Sequence, residues 1–174
     1  MHADPMQKAL FLDRDGVINE EIDFLHRVED LVYLPGIFEL CEEFQKRNFL
    51  IFIITNQSGI ARGLFSEEDF KILMNQIEGD FRDRGILITK TYHCPHLEEI
   101  SGECECRKPR PGMILKAANE FDLDLKNSVL IGDSPRDIQA GMAAGLQKNF
   151  LLGCESIKQG VLSWNVLATK FGLD

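Results

Sequence analysis

Five apolar runs recur along the chain, each five to eight residues long and rich in Ile, Leu, Phe or Val. Runs of this length, bounded by polar or turn-forming residues, are typical of β-strands. Their apolar residues are nearly continuous, which indicates a sheet that is covered on both faces. The runs span residues 8–13, 49–55, 86–93, 128–133 and 148–152. We therefore predict five strands in one buried sheet.

Hydrophobic residues between these runs recur instead with the period of an α-helix. The segments with this pattern are residues 36–47, 66–84 and 135–144. Ser66 followed by Asp69 resembles a capping box. Ser134 and Pro135 suit the start of the third helix, and Gly145 suits its end. Strands that alternate with helices predict a doubly wound, Rossmann-like parallel α/β sheet.

Three of the predicted strands end in an acid or a hydroxyl, at Asp13, Thr55 and Asp133. Ligands of parallel α/β sheets bind beyond the carboxyl ends of the strands, so we expect these three side chains to meet at one edge. Residues 94–111 differ from the rest, because they combine cysteines, prolines, glycines and charges without any periodicity. A segment of this kind needs a constraint of its own to be ordered.

Composition narrows the class of protein. The chain has 174 residues, 44% of them hydrophobic and 27% charged, which suits one globular domain over residues 1–174. Its formal net charge of −9 argues against a nucleic-acid partner. No apolar run reaches the length of about 20 residues that a membrane helix needs, and the first residues lack the apolar core of a signal peptide. We expect a cytoplasmic monomer without a membrane partner.

The segment Asp13-Arg14-Asp15-Gly16 places two acids just beyond a buried strand. One carboxylate at such a position can attack phosphorus while the other handles the proton of the leaving group. The alternative is a solvated turn, in which Asp and Gly are common. A second acid at a strand end, Asp133, would complete a set of oxygen ligands for Mg²⁺. Its alternative is a capped helix start, which Ser134 explains unaided.

Two further segments have the residue types that bind phosphate. Thr55 begins the sequence TNQSG, whose hydroxyl and backbone donors can hold phosphate oxygens, although the same residues also suit a polar loop. Arg107 and Lys108 begin a basic segment in an acidic protein. A lysine there can neutralise a phosphoryl group, and an arginine can bind a second anion through two donors. The alternative is a solvated loop.

Three of the five cysteines lie close together and have a histidine beside them. Cys94, His96, Cys104 and Cys106 supply a complete tetrahedral shell for a structural Zn²⁺, which would hold a loop over residues 94–106. Reduced free thiols are the alternative. Such a loop also suits a zinc-ribbon interaction module, which is the alternative function from another class. The remaining cysteines are Cys41, predicted to be buried on an apolar helix face, and Cys154, which has no evident partner.

Four segments, taken in order, resemble the motifs of the haloacid dehalogenase superfamily of phosphatases. They are FLDRDGVIN, TNQSGIARG, CRKPRPGM and GDSPRD. The resemblance implies that Asp13 is the nucleophile and that Asp15 acts first as general acid and then as general base. It implies that magnesium is held by the carboxylates of Asp13 and Asp133 and by the backbone carbonyl of Asp15. It also implies that Thr55 and Lys108 hold the transferring phosphoryl group.

Within that superfamily, the second motif and the cysteine cluster are similar to those of heptose bisphosphate phosphatases. This similarity implies hydrolysis of one phosphate of a sugar bisphosphate, through an aspartyl-phosphate, to give the heptose 1-phosphate. The related histidinol-phosphate phosphatases are the alternative. The resemblance further implies that Arg107 recognises the substrate, and that Asn56, Gln57 and Ser58 line the pocket.

Two positions depart from the pattern of the heptose enzymes. The sequence has Glu-Ile-Asp-Phe at 21–24, where Gly and Tyr are usual, and Ser134 in place of Lys. We expect both Glu21 and Ser134 on the substrate side of the site. No large cap domain is evident in the sequence, so the zinc loop is expected to cover part of the site instead.

Overall fold

The computed structural model describes residues 6–153 and 163–173, and Cys154 lies outside these described residues. Five parallel strands form one sheet in the order β3-β2-β1-β4-β5. The strands are β1 (Lys8–Leu12), β2 (Phe49–Asn56), β3 (Ile88–Cys94), β4 (Val129–Gly132) and β5 (Lys148–Leu151). The chain builds outward from β1 through β2 to β3 and then returns to the other side of β1. The prediction of a doubly wound parallel sheet is confirmed.

Strand bounds agree with the apolar runs to within two residues, and the largest difference is at the start of β3. Residues 86 and 87 were predicted in the strand, but their backbone N–H groups donate elsewhere. Ile86 donates to the carbonyl of Phe81, and Leu87 donates to the side chain of Gln45. These two residues therefore belong to the turn that precedes the strand.

Six helices are present in the described part of the chain. They are α1 (Ile37–Lys46), α2 (Glu67–Arg82), α3 (Glu98–Ser101), α4 (Gly112–Phe121), α5 (Pro135–Ala144) and α6 (Trp164–Phe171). The capping box of Ser66 and Asp69 starts α2 as predicted. Helix α5 begins at Pro135 and ends before Gly145, which has a φ of 98°. Helices α4 and α6 were not predicted from the sequence, and α3 interrupts a segment that had no periodicity.

The two faces of the sheet bury separate hydrophobic clusters. Leu10 and Leu12 of β1 point to the cluster that α1, α2 and α6 cover, while Ala9 and Phe11 point to the cluster under α4 and α5. All four of these β1 residues are fully buried. The central strand therefore has no solvent-facing side, which explains its continuous apolar sequence.

Among the described residues, the connections that follow the carboxyl ends of the strands contain no second folded unit. Residues 13–36 hold a single turn of 3₁₀ helix (Val28–Asp30), and residues 95–111 hold only α3. No large cap domain is present in the part of the chain that the structure describes. Among the same residues, no helix is both long and apolar enough to cross a membrane.

Candidate active site

A buried ion-pair cluster lies where β1 and β4 end. The Nζ atom of Lys108 is 2.9 Å from Oδ1 of Asp13 and 2.7 Å from Oδ1 of Asp137, and it donates to the carbonyl of Ile54 at 2.8 Å. Asp13, Lys108 and Asp137 are all buried, the last two to 3% and 1% exposure. The lysine therefore sits as a fixed positive charge between two carboxylates.

Burial and mutual charge set the ionisation of this cluster. Burial raises the pKa of the Asp13 carboxyl to about 7, although the neighbouring Lys108 opposes that rise. Burial by itself lowers the pKa of a lysine, but Asp13 and Asp137 outweigh it and raise the pKa of Lys108 above its ordinary value. The ammonium group is therefore charged at neutral pH.

Carboxylates from two strand ends meet beside this lysine. Oxygen atoms of Asp13, Asp133 and Asp137 lie within 4.8 Å of one another. Burial, together with Asp137 and Glu21, raises the pKa of Asp133 to about 7. A Cβ atom at Gly16 would lie 2.1 Å from Oδ2 of Asp133, so only glycine lets the loop after β1 pass so close. The donor set is all carboxylate oxygen, which suits a hard divalent cation.

Asp137 was not predicted as a site residue. Its position in the sequence contained a signal, because it is the second acid of GDSPRD and lies three residues after Ser134. Its Oδ2 accepts from the backbone N–H of Ser134 at 3.0 Å, which is half of a capping box, while its Oδ1 forms an ion pair with Nζ of Lys108 at 2.7 Å. A Cβ atom at Gly132 would clash with Asp137, so the tight end of β4 also depends on glycine.

Asp15 lies beside this cluster and is held by three side chains. Arg14, only 1% exposed, contacts both carboxylate oxygens of Asp15 through Nη2 at 2.9 Å and also donates to the carbonyl of Leu25. Asn19 and Gln57 donate to Asp15 as well, each at 3.0 Å. The geometry leaves Asp15 with little freedom to turn away from the cleft.

The TNQSG segment, which begins at Thr55, contacts both Asp15 and Lys108. Thr55 is buried, and its hydroxyl accepts from the amide of Gln57 at 2.8 Å. Asn56 contacts the backbone of Lys108 twice, accepting its N–H at 3.0 Å and donating to its carbonyl at 3.1 Å. Asn56 was predicted to line the pocket, and the structure also gives it the task of fixing Lys108.

A cleft of about 180 Å³ opens above these groups. It is lined by Asp13, Asp15, Glu21, Ile22, Asp23, Phe24, Asn56, Gln57, Ser58, Gly59 and Arg136. Six predicted site residues thus share one cleft, while Thr55 and Lys108 lie buried near its floor. Two predicted substrate contacts lie outside its wall. Arg107 lines a neighbouring recess and donates to the carbonyl of His96, and the backbone of Ser134 bonds to Asp137.

The predicted zinc ligands converge in the loop after β3. The Nδ1 atom of His96 is 3.3 Å from the sulfur of Cys106, and the sulfurs of Cys94 and Cys104 are 3.6 Å apart. Zn–S bonds of about 2.3 Å place the sulfurs of a tetrahedral shell roughly 3.8 Å apart, so the spacing fits. The closest sulfurs, those of Cys94 and Cys106, are 3.0 Å apart, which is too far for a disulfide.

Ionisation of the cysteine cluster is uneven. Burial opposes ionisation of Cys104, but hydrogen bonds from the backbone of Arg107 and from neighbouring thiols lower its pKa to about 7. Burial raises the pKa of Cys94 above its ordinary value. Cys41 is fully buried in the hydrophobic cluster under α1, as predicted for a core residue.

The chain is similar to several proteins of known family. A family model described as HAD-hydrolase-like matches residues 105–153. The D-glycero-α-D-manno-heptose-1,7-bisphosphate 7-phosphatase of Campylobacter jejuni is 53% identical over 88% of this chain and 86% of its own. The corresponding β-anomer enzyme of Vibrio cholerae is 42% identical, over 83% and 80%. The crystal structure of D,D-heptose 1,7-bisphosphate phosphatase from B. bronchiseptica, complexed with magnesium and phosphate, is 34% identical, with a TM-score of 0.77 over 83% and 80%.

Proposed function

Since this chain belongs to the heptose-1,7-bisphosphate 7-phosphatase family of the haloacid dehalogenase superfamily, we propose that it hydrolyses the 7-phosphate of D-glycero-D-manno-heptose 1,7-bisphosphate. The products would be the heptose 1-phosphate and inorganic phosphate. The observation that carries the proposal is the buried pair of Asp13 and Lys108, with Asp15 lining the same cleft.

The reaction has two steps, both on phosphorus. A carboxylate oxygen of Asp13 attacks the phosphorus atom, the bond to the sugar oxygen breaks, and Asp15 gives that oxygen a proton. Asp15 then takes a proton from water, whose oxygen attacks the aspartyl-phosphate. That attack releases phosphate and restores the carboxylate of Asp13.

Charge on the transferring group requires fixed cations. Lys108 supplies one, and its position is supported by its bonds to Ile54 and Asn56. The hydroxyl of Thr55 accepts from Gln57 at the end of the adjacent strand, which leaves its own hydrogen to donate to an oxygen of the phosphoryl group. Arg14 and Gln57 donate hydrogen bonds to Asp15 and so hold the general acid in place.

The carboxylates of Asp13 and Asp133 and the backbone carbonyl of Asp15 would hold magnesium, as the all-oxygen donor set suggests. When bound, magnesium would offset negative charge on the phosphoryl oxygens. Asp137 is occupied by Lys108 and by the backbone of Ser134, so we assign it to positioning Lys108 rather than to the metal.

Zinc is proposed as the metal of the loop over residues 94–106, held by Cys94, His96, Cys104 and Cys106. Four protein ligands fill a tetrahedral shell and leave no position for substrate, so the role would be structural. The loop leads directly into Arg107 and Lys108, which explains why a phosphatase would need it ordered.

Recognition of the sugar is assigned to the residues at the mouth of the cleft. We propose Glu21, Asn56, Gln57 and Ser58 as contacts, with Arg107 and Ser134 approaching from outside the wall that the structure shows. The α anomer is proposed over the β anomer, because the relative named for the α compound is 53% identical and the one from Vibrio cholerae, named for the β compound, is 42% identical. We also propose a monomer that works in the cytoplasm.

A substrate panel tests the proposal. We expect the α-heptose bisphosphate to give the highest kcat/KM, followed by the β anomer and then histidinol phosphate, and we expect EDTA to abolish all three activities. Preference for histidinol phosphate would reassign the substrate and leave the chemistry standing. If the protein with magnesium hydrolyses none of these substrates and no generic aryl phosphate either, that result would favour the zinc-ribbon interaction module instead.

A further inference from the structure

The cleft has an unbalanced charge for a substrate with two phosphates. Its wall contains four acids, Asp13, Asp15, Glu21 and Asp23, and one basic residue among the described residues that line it, Arg136. Lys108 is already paired with two carboxylates beneath the cleft. The phosphate that is not hydrolysed carries a charge of about −2 near neutral pH and needs a cation of its own.

Arg136 comes from a rigid part of the fold. It is the second residue of α5, between Pro135, which suits the first helical position, and Asp137, whose carboxylate is held by Lys108 and the backbone of Ser134. Its backbone is therefore fixed by the same contacts that fix the ion-pair cluster. The side chain is exposed and makes no hydrogen bond or ion pair within residues 6–153 and 163–173.

Three other arginines near the site already donate hydrogen bonds, while Arg62 lies over the ring of Phe24 and does not line the cleft. The guanidinium of Arg14 is buried against Asp15. Arg107, the sequence-based candidate for the second phosphate, donates to the carbonyl of His96 and lines a different recess. Arg110 donates to the carbonyl of Cys104. Arg136 thus differs from them in having a free guanidinium on the wall of the cleft that contains the nucleophile.

We propose that Arg136 binds the phosphate that is not hydrolysed and so determines the preference for a bisphosphate. This inference rests on the proposed function. The reacting phosphate lies at Asp13, and the second is attracted to Arg136, since Glu21 and Asp23 on the wall repel it. A guanidinium can hold a phosphate through two parallel hydrogen bonds, which gives orientation as well as affinity.

The test compares the bisphosphate with the heptose 7-phosphate, which has the reacting group alone. For Arg136→Ala we expect the ratio of kcat/KM values, bisphosphate over monophosphate, to fall about 10- to 100-fold, the value of a lost charge-assisted hydrogen bond. The ratio for Arg136→Lys should lie between those of the native protein and Arg136→Ala, because lysine retains the positive charge but lacks the two parallel donors of a guanidinium. Arg82→Ala removes an exposed arginine at the far end of α2 and serves as the charge-matched control, with an unchanged ratio.

Each outcome has one meaning for the inference. An unchanged ratio in Arg136→Ala, or an equal loss on both substrates, overturns it. A collapse of the ratio in Arg107→Ala and not in Arg136→Ala also overturns it, by assigning the second phosphate to Arg107. Hydrolysis by the native protein is a separate readout: if neither sugar phosphate is hydrolysed, it is the proposed function that fails.

Discussion

The catalytic edge and the cysteine loop hold their side chains together in two different ways. At the edge, Asp13, Lys108 and Asp137 come from distant parts of the chain and are brought together by the order of the strands. In the loop, all four candidate ligands lie within residues 94–106, and only Cys94 belongs to a strand. The first arrangement depends on the order of the strands, and the second depends on the spacing of the four residues in the sequence.

This difference indicates which parts of the site are built before any ligand arrives. The edge already has a complete ion-pair cluster with a buried lysine, so the fold itself places the charges. The loop presents thiols and an imidazole at ligand spacing, but none of the four residues of α3 is buried. Asn56 links the two regions, because its amide at the end of β2 holds the backbone of Lys108, just after the loop.

Replacing the nucleophile should have the largest effect and break the edge chemically without disturbing the sheet. We expect Asp13→Asn to lower turnover by at least about 10³-fold, because an amide is a far poorer nucleophile of nearly the same shape. Phosphate release measures the loss of turnover, and far-UV circular dichroism measures whether the fold is retained. A folded Asp13→Asn protein with near-native turnover would rule out the proposed chemistry.

Removing the lysine should break the edge energetically. Lys108→Met leaves two buried carboxylates without a cation, and we expect the free energy of unfolding to fall by about 3–5 kcal/mol. Urea unfolding followed by fluorescence measures it. Lys116→Met, at an exposed position on α4, should change stability by less than about 0.5 kcal/mol. Equal, small changes in both variants would mean that the ion-pair cluster does not hold the edge together.

Removing one thiol should separate the loop from the edge. We expect the native protein to contain about one zinc per chain. In Cys104→Ser we expect the affinity for zinc to fall by a factor of more than about 100. Hydrogen exchange should accelerate in residues 94–106, while β1 and β2 remain protected. Cys41→Ala, in the hydrophobic cluster, should keep its zinc. Elemental analysis that finds no zinc in active native protein would contradict this prediction.

Cutting the link between the two regions should have the smallest effect. Asn56→Ala removes both bonds to the backbone of Lys108, and we expect a loss of about 1–3 kcal/mol in unfolding free energy. Thermal and urea unfolding measure it, with Asn75→Ala at an exposed position of α2 as the control. If Asn56→Ala is as stable as the control, the loop does not need this link to hold Lys108.

Prediction from sequence succeeded for features that depend on a single short segment of the chain. The apolar runs, the capping box at Ser66 and the ligand spacing of the cysteines are local patterns, and each agrees with the structure. Helix α4 was missed because it begins at Gly112 directly after a proline-rich loop. That glycine is needed for packing, since a Cβ atom there would lie 2.2 Å from the carbonyl oxygen of Glu105.

Residues of the site were predicted less completely than the elements that carry them. Asp13, Asp15 and the TNQS segment were expected at one edge, and all of them line or underlie one cleft. Asp137 was noted in the GDSPRD motif but was not assigned to the site, because no local sequence pattern indicates that its carboxylate lies next to Lys108. Arg107 was given the second phosphate from its place beside Lys108, and that assignment stays a prediction; in the structure its guanidinium donates to the carbonyl of His96.

The sequence by itself determined the five strands, the helices α1, α2 and α5, and the chemical types present at the strand ends, because hydrophobic period and capping act over a few residues. It also determined the metal-ligand spacing of the loop. Only the tertiary structure decided that Lys108 bridges Asp13 and Asp137, that Arg14 holds Asp15, and that Arg136 faces the cleft. These pairings depend on the strand order β3-β2-β1-β4-β5 and on burial, which arise from contacts between residues far apart in the chain.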